Sequence, residues 1–317
     1  MAPPQSDRQW GSSGGGYESR TRTFFRSLSA PTMRPSANSS RPRRQSQSSD
    51  LSLLGLLRLH WPDWALCVSL LLLKVVLLVA PTFISYVDKD HLVWLRYPIR
   101  KNTVPGWALQ IIQTVIPGVA VLIFFALQRN KRDMHHGLLG LFTAVVFTNV
   151  IVSALKSSVG RPRPDFAARC FPDGKEDFSQ TGEVLCTGAR ALVEQGHESF
   201  PSGHAAYSAV GLGYLALYLA GKLKLFDEEG HVSKSILVLF PMLLAILVGV
   251  SRVDDNKHHW QDVLVGLGIG FSLAWWSYHH YYPPLRATKC DVPRDFQNEF
   301  DALPTISEEE EHVSLRA

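Results

Sequence analysis

The stretch GLLGLFTAVVFTNVIVSAL, residues 137–155, contains no charged side chain. A helix of roughly 17 to 25 apolar residues is long enough to cross the hydrocarbon core of a bilayer. This stretch runs directly into KSSVGRPRP, residues 156–164, which holds one Lys and two Arg. An apolar helix that ends in a dense positive cluster predicts a cationic site at a membrane surface.

Five further apolar stretches have the same character. They are Trp64–Tyr86, Gly106–Leu127, Ala205–Ala220, Ser235–Val250 and Val263–Tyr282. Together with residues 137–155 they predict an all-α, polytopic membrane protein built as a six-transmembrane-helix bundle. The stretches at 205–220 and 235–250 are the shortest, and a soluble helical core is the alternative for either of them alone. The mean hydropathy of the chain is near zero because both ends are polar.

The two ends of the chain differ in composition from this apolar middle. Residues 1–60 are rich in Ser, Arg, Gly and Pro, and such a segment cannot bury enough apolar surface to order itself, which predicts a disordered basic tail. The same composition resembles an organelle transit peptide, and that alternative stays open. Residues 285–317 form a second polar tail with an acidic run at 308–311, which leaves residues 61–284 as the predicted membrane domain.

Basic residues near the spans predict how the chain crosses the membrane, because Lys and Arg collect in cytosolic loops. The flanks before the first span and after the second carry Arg41, Arg43, Arg44, Arg58, Arg129, Lys131 and Arg132. Alternation then places the end of the third span, the start of the fourth, the end of the fifth and the start of the sixth on the lumenal or extracellular side. Arg96, Arg100 and Lys101 in the first external loop conflict with this orientation, and Asp88 and Asp90 offset them only in part.

The cysteines give a separate indication of the compartment. Cys170 and Cys186 both lie in the loop between the third and fourth spans, and an oxidising compartment would let them form a disulfide. Two unpaired loop thiols are the alternative, and neither Cys67 nor Cys290 has an evident partner. No spacing of Cys and His along the chain is typical of a zinc site, so we expect no metal and no other cofactor.

Two of the three polar clusters follow or open a span. In residues 156–164, Lys156 and Arg163 stand with Arg161 in a Pro-stiffened turn that can present several cationic donors to one anion. A positively charged span flank that meets lipid head groups is the alternative. Residues 200–204, FPSGH, open the fourth span, and a helix N-terminus favours a phosphate. Gly203 lets the backbone approach a bound phosphate closely, and His204 can give a proton to a leaving oxygen. The alternative is that Ser202 only caps the helix and that His204 is incidental.

The third cluster, residues 251–262, reads SRVDDNKHHWQD. His258 and Asp262 are four residues apart, which predicts that both lie on one helix face and that the carboxylate orients the imidazole. An imidazole held in this way can act as a nucleophile toward phosphorus. An interfacial histidine bonded to a head group is the alternative. His259 competes for the role, but it is turned about 100 degrees away on a helix.

The order of these motifs resembles the tripartite signature of the type 2 phosphatidic acid phosphatase superfamily. The matching positions are Lys156 with Arg163-Pro164, then residues 201–204, PSGH, then Ser251-Arg252 with His258 and Asp262. Residues 169–174, RCFPDG, residues 196–201, GHESFP, and residues 251–255, SRVDD, are similar to eukaryotic lipid phosphate phosphatases, particularly the plant type. The resemblance covers about Trp61 to Pro284.

The resemblance implies a role for each matching residue. His258 would attack phosphorus to give a phosphohistidine, Asp262 would orient it, and His204 would protonate the leaving alkoxide. The phosphoryl oxygens would be held by Lys156, Arg163, Ser202, Gly203 and Arg252. Family members are typically magnesium-independent, so the cations would be side chains. Arg161 and Lys257 lie outside the strict signature and are expected only to add to the positive field.

The sequence therefore predicts an integral membrane phosphatase acting on phosphatidic acid and on related lipid phosphates such as diacylglycerol pyrophosphate or lysophosphatidic acid. Its partners would be these lipids and the bilayer, with no nucleic acid. The protein would be located in the endoplasmic reticulum or the plasma membrane. A soluble phosphomonoester or an isoprenoid diphosphate stays open, because the signature recognises the phosphate and not the tail. Two other classes are a catalytically silent lipid-phosphate-binding protein and a vanadate haloperoxidase. The membrane spans speak against the second of these.

Overall fold

The computed structural model describes residues 52–227 and 229–295. Most of the predicted N-terminal tail and the acidic run at 308–311 lie outside these residues. Within them the regular secondary structure is helical, and the only β features are two isolated bridges, Asp88 with Glu183 and Phe178 with Val184. The predicted all-α class is therefore confirmed.

The helices of the described residues follow in chain order. They are α1 Leu53–Leu59, α2 Trp61–Val79, α3 Lys89–Leu92, α4 Gly106–Gln110, α5 Ile116–Gln128, α6 Lys131–Val159, α7 Phe166–Cys170, α8 Arg190–Gly196, α9 Gly203–Lys222, α10 Val232–Asp254 and α11 Trp260–Tyr281. A 3₁₀ turn, Val93–Leu95, follows α3, and a π-helical turn, Ile111–Val115, joins α4 to α5.

Four segments of the described chain are both long and apolar enough to cross a membrane. They are Trp61–Val79, Gly106–Gln128, Lys131–Val159 and Val232–Asp254. The protein is thus an integral membrane protein. Helices α9 and α11, with 20 and 22 residues, are long enough to span but carry many Gly, Ser, Tyr and His side chains, so the count of six spans stays a prediction.

Helix α9 lies at the centre of the bundle and packs against α6, α10 and α11. Small residues let its neighbours approach closely, as is common between membrane helices. A Cβ added at Gly211 would lie 2.3 Å from the backbone oxygen of Gln113, and one added at Gly270 of α11 would lie 2.3 Å from the backbone oxygen of Ala206. This close contact fixes the start of α9 relative to the start of α11. Both helix starts lie beside the candidate active site described below.

Several helix ends differ from the predicted boundaries. Helical structure is already present before residue 61, because Ser52 caps α1 by accepting from the Gly55 N–H at 3.2 Å and Leu56 is buried. The first span ends at Val79 rather than at residue 86, since Pro81 cannot continue the helix. Helix α6 is longer than the apolar stretch that predicted it, because its polar ends stay helical up to Gly160, which has a left-handed φ of 62°.

The loop between α6 and α9 is folded. Cys170, at the end of α7, forms a disulfide with Cys186, and their Cα atoms are 4.5 Å apart. Phe166 and Phe171 pack around the disulfide together with Leu92 of α3. The disulfide therefore joins the two halves of a loop that encloses one side of the site described below.

We expect the double variant Cys170→Ser/Cys186→Ser to unfold at a lower temperature. A disulfide that closes a loop of 16 residues stabilises a protein by about 3 kcal/mol, which corresponds to roughly 6–12 °C for a chain of this size. Thermal unfolding in detergent measures the shift. A reductant should lower the unfolding temperature of the wild-type protein and leave that of the double variant unchanged. An equal effect of reductant on both proteins would contradict the stabilising role.

Candidate active site

A cavity of about 550 Å³ opens where the ends of α6 and α10 meet the starts of α9 and α11. Seven basic side chains line it, and no Asp or Glu is among the described residues that do so. The basic residues are Arg100, Lys101, Lys156, Arg163, Arg169, Arg252 and Lys257. A concave surface with this charge has the chemistry of an anion site.

All three sequence clusters contribute to this cavity. Six of the eight predicted catalytic and phosphate-binding residues line it, namely Lys156, Arg163, Gly203, His204, Arg252 and His258. Ser202 and Asp262 are fully buried behind the wall, with 0% exposure each. The clusters are 40 to 50 residues apart in the chain, so only the packing of α6, α9, α10 and α11 brings them together.

Arg163 has donor groups that the described residues do not satisfy. One of its terminal nitrogens is 3.4 Å from the Glu198 carbonyl, to which Lys156 also donates at 2.9 Å, but its buried Nε has no hydrogen-bond partner among the described residues. Burial, followed by the charge of Arg169, lowers the pKa of Arg163 to about 10. An unpaired buried N–H is costly, so this guanidinium is set up to bind an anion.

Arg252 shows the same combination of fixed and free donors. Its terminal nitrogens donate to Asp255 at 2.8 Å and to Asn102 at 3.0 Å, whereas its buried Nε is unpaired among the described residues. Asp255 also accepts from the backbone N–H and hydroxyl of Thr103. The loop before α4 is therefore tied to α10 and helps to hold Arg252 in the cavity wall.

The N-terminus of α9 faces the cavity through Gly203 and His204. Ser202 is the N-cap, and its hydroxyl accepts from the Ala205 N–H at 3.5 Å. A Cβ at Gly203 would come within 3.7 Å of Lys156 Cε, so the glycine keeps the backbone open beside that lysine. His204 Nε2 donates to the Val104 carbonyl at 3.0 Å, which leaves Nδ1 as its second ring nitrogen.

His258 is held in one tautomer by the backbone. Its Nδ1 donates to the Ser199 carbonyl at 2.6 Å, so Nε2 is the nitrogen with the lone pair, and the side chain is 3% exposed. Burial, followed by the positive charges of Arg163 and Lys156, lowers the pKa of His258 well below its usual value. The ring is therefore neutral at physiological pH, which is the form in which an imidazole can be a nucleophile.

The contact between His258 and Asp262 differs from the one that their spacing predicted. The Asp262 carboxylate lies 4.0 Å from His258 Nδ1, which is too far for a hydrogen bond. Helix α11 begins only at Trp260, so His258 precedes the helix and the one-face argument does not apply to it. The prediction that both residues lie on one helix face is therefore wrong, and the Ser199 carbonyl, not Asp262, accepts the His258 Nδ1 proton.

Asp262 instead organises the groups around His258. Its carboxylate accepts from the Ser199 hydroxyl at 2.6 Å, from Arg161 at 2.6 Å and from the His259 N–H at 3.0 Å. Asp262 thus acts on His258 through Ser199. His259 is the N-cap of α11, and its Nε2 contacts the Pro162 carbonyl at 3.3 Å, so it is turned away from the role of His258.

A buried ion cluster lies at the edge of the cavity, and of its members only Lys257 had a role in the sequence interpretation, as a contributor to the positive field. Asp165 is 0% exposed and accepts from Arg169 at 2.8 and 3.0 Å and from Lys257 at 2.8 Å. Burial alone would raise the pKa of Asp165, but the hydrogen bonds from Arg169 and Lys257 outweigh it and leave the pKa below the usual value. The only indication of this cluster in the sequence is the position of its members beside the motifs, since Asp165 directly follows Arg163-Pro164 and Lys257 directly precedes His258.

The fold and this cavity define an integral membrane protein with a cationic, histidine-containing site at one end of its helix bundle. The sequence profile of the PAP2 superfamily matches residues 137–285, a range that contains all three clusters.

The chain also has clear relatives of similar length. It is 48% identical to Lipid phosphate phosphatase 2 of Arabidopsis thaliana, over 72% of this chain and 79% of that protein. It is 46% identical to Lipid phosphate phosphatase 1 of the same plant, over 71% and 68%. The Probable diacylglycerol pyrophosphate phosphatase 1 of Schizosaccharomyces pombe is 38% identical over 60% and 69%.

The chain belongs to the PAP2 superfamily. The resemblance to plant-type lipid phosphate phosphatases that the three motifs indicated is confirmed by these relatives. No solved structure matches the chain.

Proposed function

We propose that this protein hydrolyses phosphatidic acid to diacylglycerol and phosphate, and that it also accepts diacylglycerol pyrophosphate and other lipid phosphates. The observation that carries the proposal is the neutral, buried His258 on the wall of a cavity lined by seven basic residues. The relatives named as lipid phosphate phosphatases and as a diacylglycerol pyrophosphate phosphatase support the substrate class.

Binding of the phosphoryl group falls to the donors that lack partners. We assign the unpaired Nε groups of Arg163 and Arg252, together with Lys156, to the phosphoryl oxygens. The backbone N–H of Gly203 at the start of α9 adds a donor at a helix N-terminus, where a phosphate is favoured, whereas the Ser202 N–H donates to the Asp262 backbone carbonyl at 3.0 Å. Charge that develops on the oxygens during transfer would meet fixed cations rather than mobile water.

The chemical step would use His258 Nε2 as the nucleophile. Its lone pair forms the P–N bond while the P–O bond to the lipid breaks, and the bonding electrons leave with the lipid oxygen. His204, with its Nε2 held by the Val104 carbonyl and with Nδ1 protonated once the phosphate anion is bound, would give the Nδ1 proton to this oxygen, which becomes the alcohol of diacylglycerol. Water then attacks the phosphohistidine and loses its proton to His204, and phosphate leaves as the P–N bond breaks.

The imidazole must gain positive charge when the P–N bond forms. Asp262 is the buried carboxylate nearest to it, at 4.0 Å, and would stabilise that charge while holding Ser199 in place. The Ser199 carbonyl accepts the Nδ1 proton at 2.6 Å, so it fixes the direction in which Nε2 points. We therefore describe Asp262 and Ser199 as positioning residues and His258 and His204 as catalytic residues.

We further propose that turnover needs no magnesium, since basic side chains surround the phosphate site. The test is phosphate release from phosphatidic acid in detergent micelles with EDTA present. Release should persist in EDTA, and phosphatidic acid should be preferred to a soluble phosphomonoester such as glycerol 3-phosphate. Activity lost in EDTA and restored by Mg²⁺ but not by Zn²⁺ would contradict magnesium independence. An equal kcat/KM for glycerol 3-phosphate would contradict a lipid substrate.

We also propose that the site faces the lumen or the extracellular space, in the endoplasmic reticulum or the plasma membrane. The disulfide between Cys170 and Cys186, in the loop beside the cavity, supports an oxidising compartment on that side. Labelling of a single engineered loop cysteine in sealed, right-side-out vesicles tests the orientation. Reaction with an impermeant reagent is expected, and protection until the vesicles are opened would contradict it.

Removing the positioning carboxylate should slow the reaction without stopping it. We expect Asp262→Asn to lower kcat by about 10- to 100-fold, because the nucleophile remains but its orientation and charge stabilisation weaken, while KM for phosphatidic acid changes little. The matched control is Asp254→Asn, which changes an exposed carboxylate at the end of α10 and should leave kcat unchanged.

Ser199→Ala should also reduce kcat, since it removes the hydroxyl that donates to Asp262 at 2.6 Å. The double variant Ser199→Ala/Asp262→Asn should lose little more than the worse single variant, because the two residues act through one hydrogen bond. Fully additive losses in log kcat would contradict this arrangement.

A further inference from the structure

We propose that the end of the bundle opposite the active site carries a zinc site formed by His60, His135 and His136. His60 lies at the junction of α1 and α2, and the other two lie in the second turn of α6. One ring nitrogen from each of the three histidines lies within 4.8 Å of the other two. The three ring centroids are 4.8 to 5.2 Å apart.

Two of these rings have a buried nitrogen that nothing in the described chain satisfies. His60 Nε2 and His135 Nδ1 are both buried without a hydrogen-bond partner among the described residues. A buried polar atom left in this way is costly, and such atoms are rare in folded proteins. Two unsatisfied ring nitrogens in one cluster of imidazoles indicate a missing ligand, and a metal ion can bind both of them once the proton on His135 Nδ1 has moved to Nε2.

Two of the three histidines have outer hydrogen bonds of the kind found around metal-bound histidines. His60 Nδ1 is 3.1 Å from the Asp63 carboxylate, and His136 Nδ1 donates to the Arg132 carbonyl at 2.8 Å. A carboxylate or a backbone carbonyl on the far nitrogen fixes the tautomer and turns the other nitrogen inward as a ligand. The ligand atoms that we assign are therefore Nε2 of His60 and of His136, with Nδ1 of His135.

A carboxylate stands close enough to complete the coordination. The Asp295 carboxylate is 3.5 Å from His136 Nε2, and the His136 side chain is only 3% exposed. Three imidazoles and one carboxylate are hard-to-intermediate ligands that suit a tetrahedral zinc ion. Nitrogens on such an ion lie about 3.3 Å apart, from zinc–nitrogen distances of about 2.0–2.1 Å, so binding draws the rings together.

Binding also changes one existing contact. Trp64 Nε1 donates to His135 Nε2 at 3.3 Å, which leaves the proton of that neutral ring on Nδ1. When zinc takes Nδ1, this proton moves to Nε2, and the ring can no longer accept from Trp64. The rearrangement conserves the charge of the imidazole and exchanges one long hydrogen bond for a metal–ligand bond.

The site is separate from the catalytic cavity. His136 and Lys156 are 20 positions apart on α6, and at a rise of 1.5 Å per residue they stand about 30 Å apart. The ion would therefore join the α1–α2 junction to α6 and act on stability, not on the reaction. The proposal is independent of the proposed function.

The test measures zinc on the full-length protein in detergent, purified with a tag that contains no histidine. After removal of metals, addition of Zn²⁺ and dialysis, elemental analysis should find one zinc per wild-type chain, and the unfolding temperature should rise with bound zinc. The variant His60→Asn should lose the retained zinc and the thermal shift while it keeps phosphatase activity. The control is His279→Asn/His280→Asn, which removes another adjacent histidine pair, on α11, and should retain both.

Two outcomes would overturn the proposal. The first is a wild-type protein that retains no zinc, and the second is a His60→Asn variant that retains as much as the wild type. If that variant does not fold, X-ray absorption of the zinc-loaded wild-type protein gives the answer without it. Scattering from imidazole rings in the zinc shell is expected, and a shell without them would reject the site.

Discussion

The variant His258→Ala is expected to release phosphate from phosphatidic acid about 10⁴- to 10⁶-fold more slowly than the wild-type protein. The reason is chemical, because alanine has no nitrogen that can form the P–N bond and the cavity offers no second neutral imidazole in the same place. His204 is the other histidine on the wall, and its Nε2 is already bonded to the Val104 carbonyl. Phosphate release in micelles measures the loss.

The matched control is His259→Ala. His259 is the neighbouring histidine, but its ring caps α11 and points toward the Pro162 carbonyl, so its loss should lower stability more than kcat. The unfolding temperature of His258→Ala should stay near that of the wild type, which separates a chemical defect from a folding defect. A loss of equal size in His259→Ala, or activity retained in His258→Ala, would contradict the assignment of the nucleophile.

The intermediate can be detected directly. Rapid quenching of the wild-type protein with phosphatidic acid labelled in its phosphate should trap label on the protein, in a bond that is stable to base and labile to acid. Such lability is expected of a P–N bond to imidazole. The label should be absent in His258→Ala and should accumulate if breakdown of the phosphohistidine is slowed.

Much of the site could be predicted from sequence because its residues are tied to helix ends. A Lys that ends one span, a Ser-Gly-His that opens another and an Arg that ends a third must face the same side if the chain alternates across the membrane. Four of those five residues do line one cavity, and the fifth, Ser202, is buried behind its wall. The role of Ser199 could not be predicted, because it depends on a backbone carbonyl and any residue type has one. The contacts of Asp262 could not be predicted either, because the sequence does not show where α11 starts.

The fold was predictable where the length of an apolar stretch determines that a helix forms. Long apolar stretches gave the helices, but polar residues extend them, as at both ends of α6. The histidine cluster was missed for a different reason, because His60 and His135 are 75 positions apart and no local spacing joins them. Asp133 was likewise without a role, although it proves to be the buried acceptor for three side chains.

A second large effect is expected at this acceptor, which lies near the start of α6. Asp133 is 1% exposed and accepts from Lys222 of α9 and from the hydroxyls of Tyr218 and Tyr282, both at 2.8 Å. The Lys222 side chain is 2% exposed. Two opposite charges buried together are tolerable because each is the counterion of the other, and either one alone is strongly unfavourable.

Replacing Lys222 with methionine should therefore destabilise the protein by about 3–5 kcal/mol, which corresponds to a fall of roughly 6–20 °C in the unfolding temperature. The exposed neighbour Lys224 is the control, since its side chain is 50% exposed and Lys224→Met should change stability by about 0.5 kcal/mol or less.

The double variant Asp133→Asn/Lys222→Met shows whether the stranded charge is the cause. Asparagine keeps one oxygen that can accept from Tyr218 or Tyr282, and its NH2 group can donate to the hydroxyl oxygen of the other tyrosine. It carries no charge, so the double variant should recover most of the unfolding temperature that Lys222→Met loses. Thermal unfolding in detergent, with the four proteins compared as a double-mutant cycle, measures this coupling. A double variant less stable than Lys222→Met would mean that Lys222 acts through packing of its long side chain and not as the counterion of Asp133.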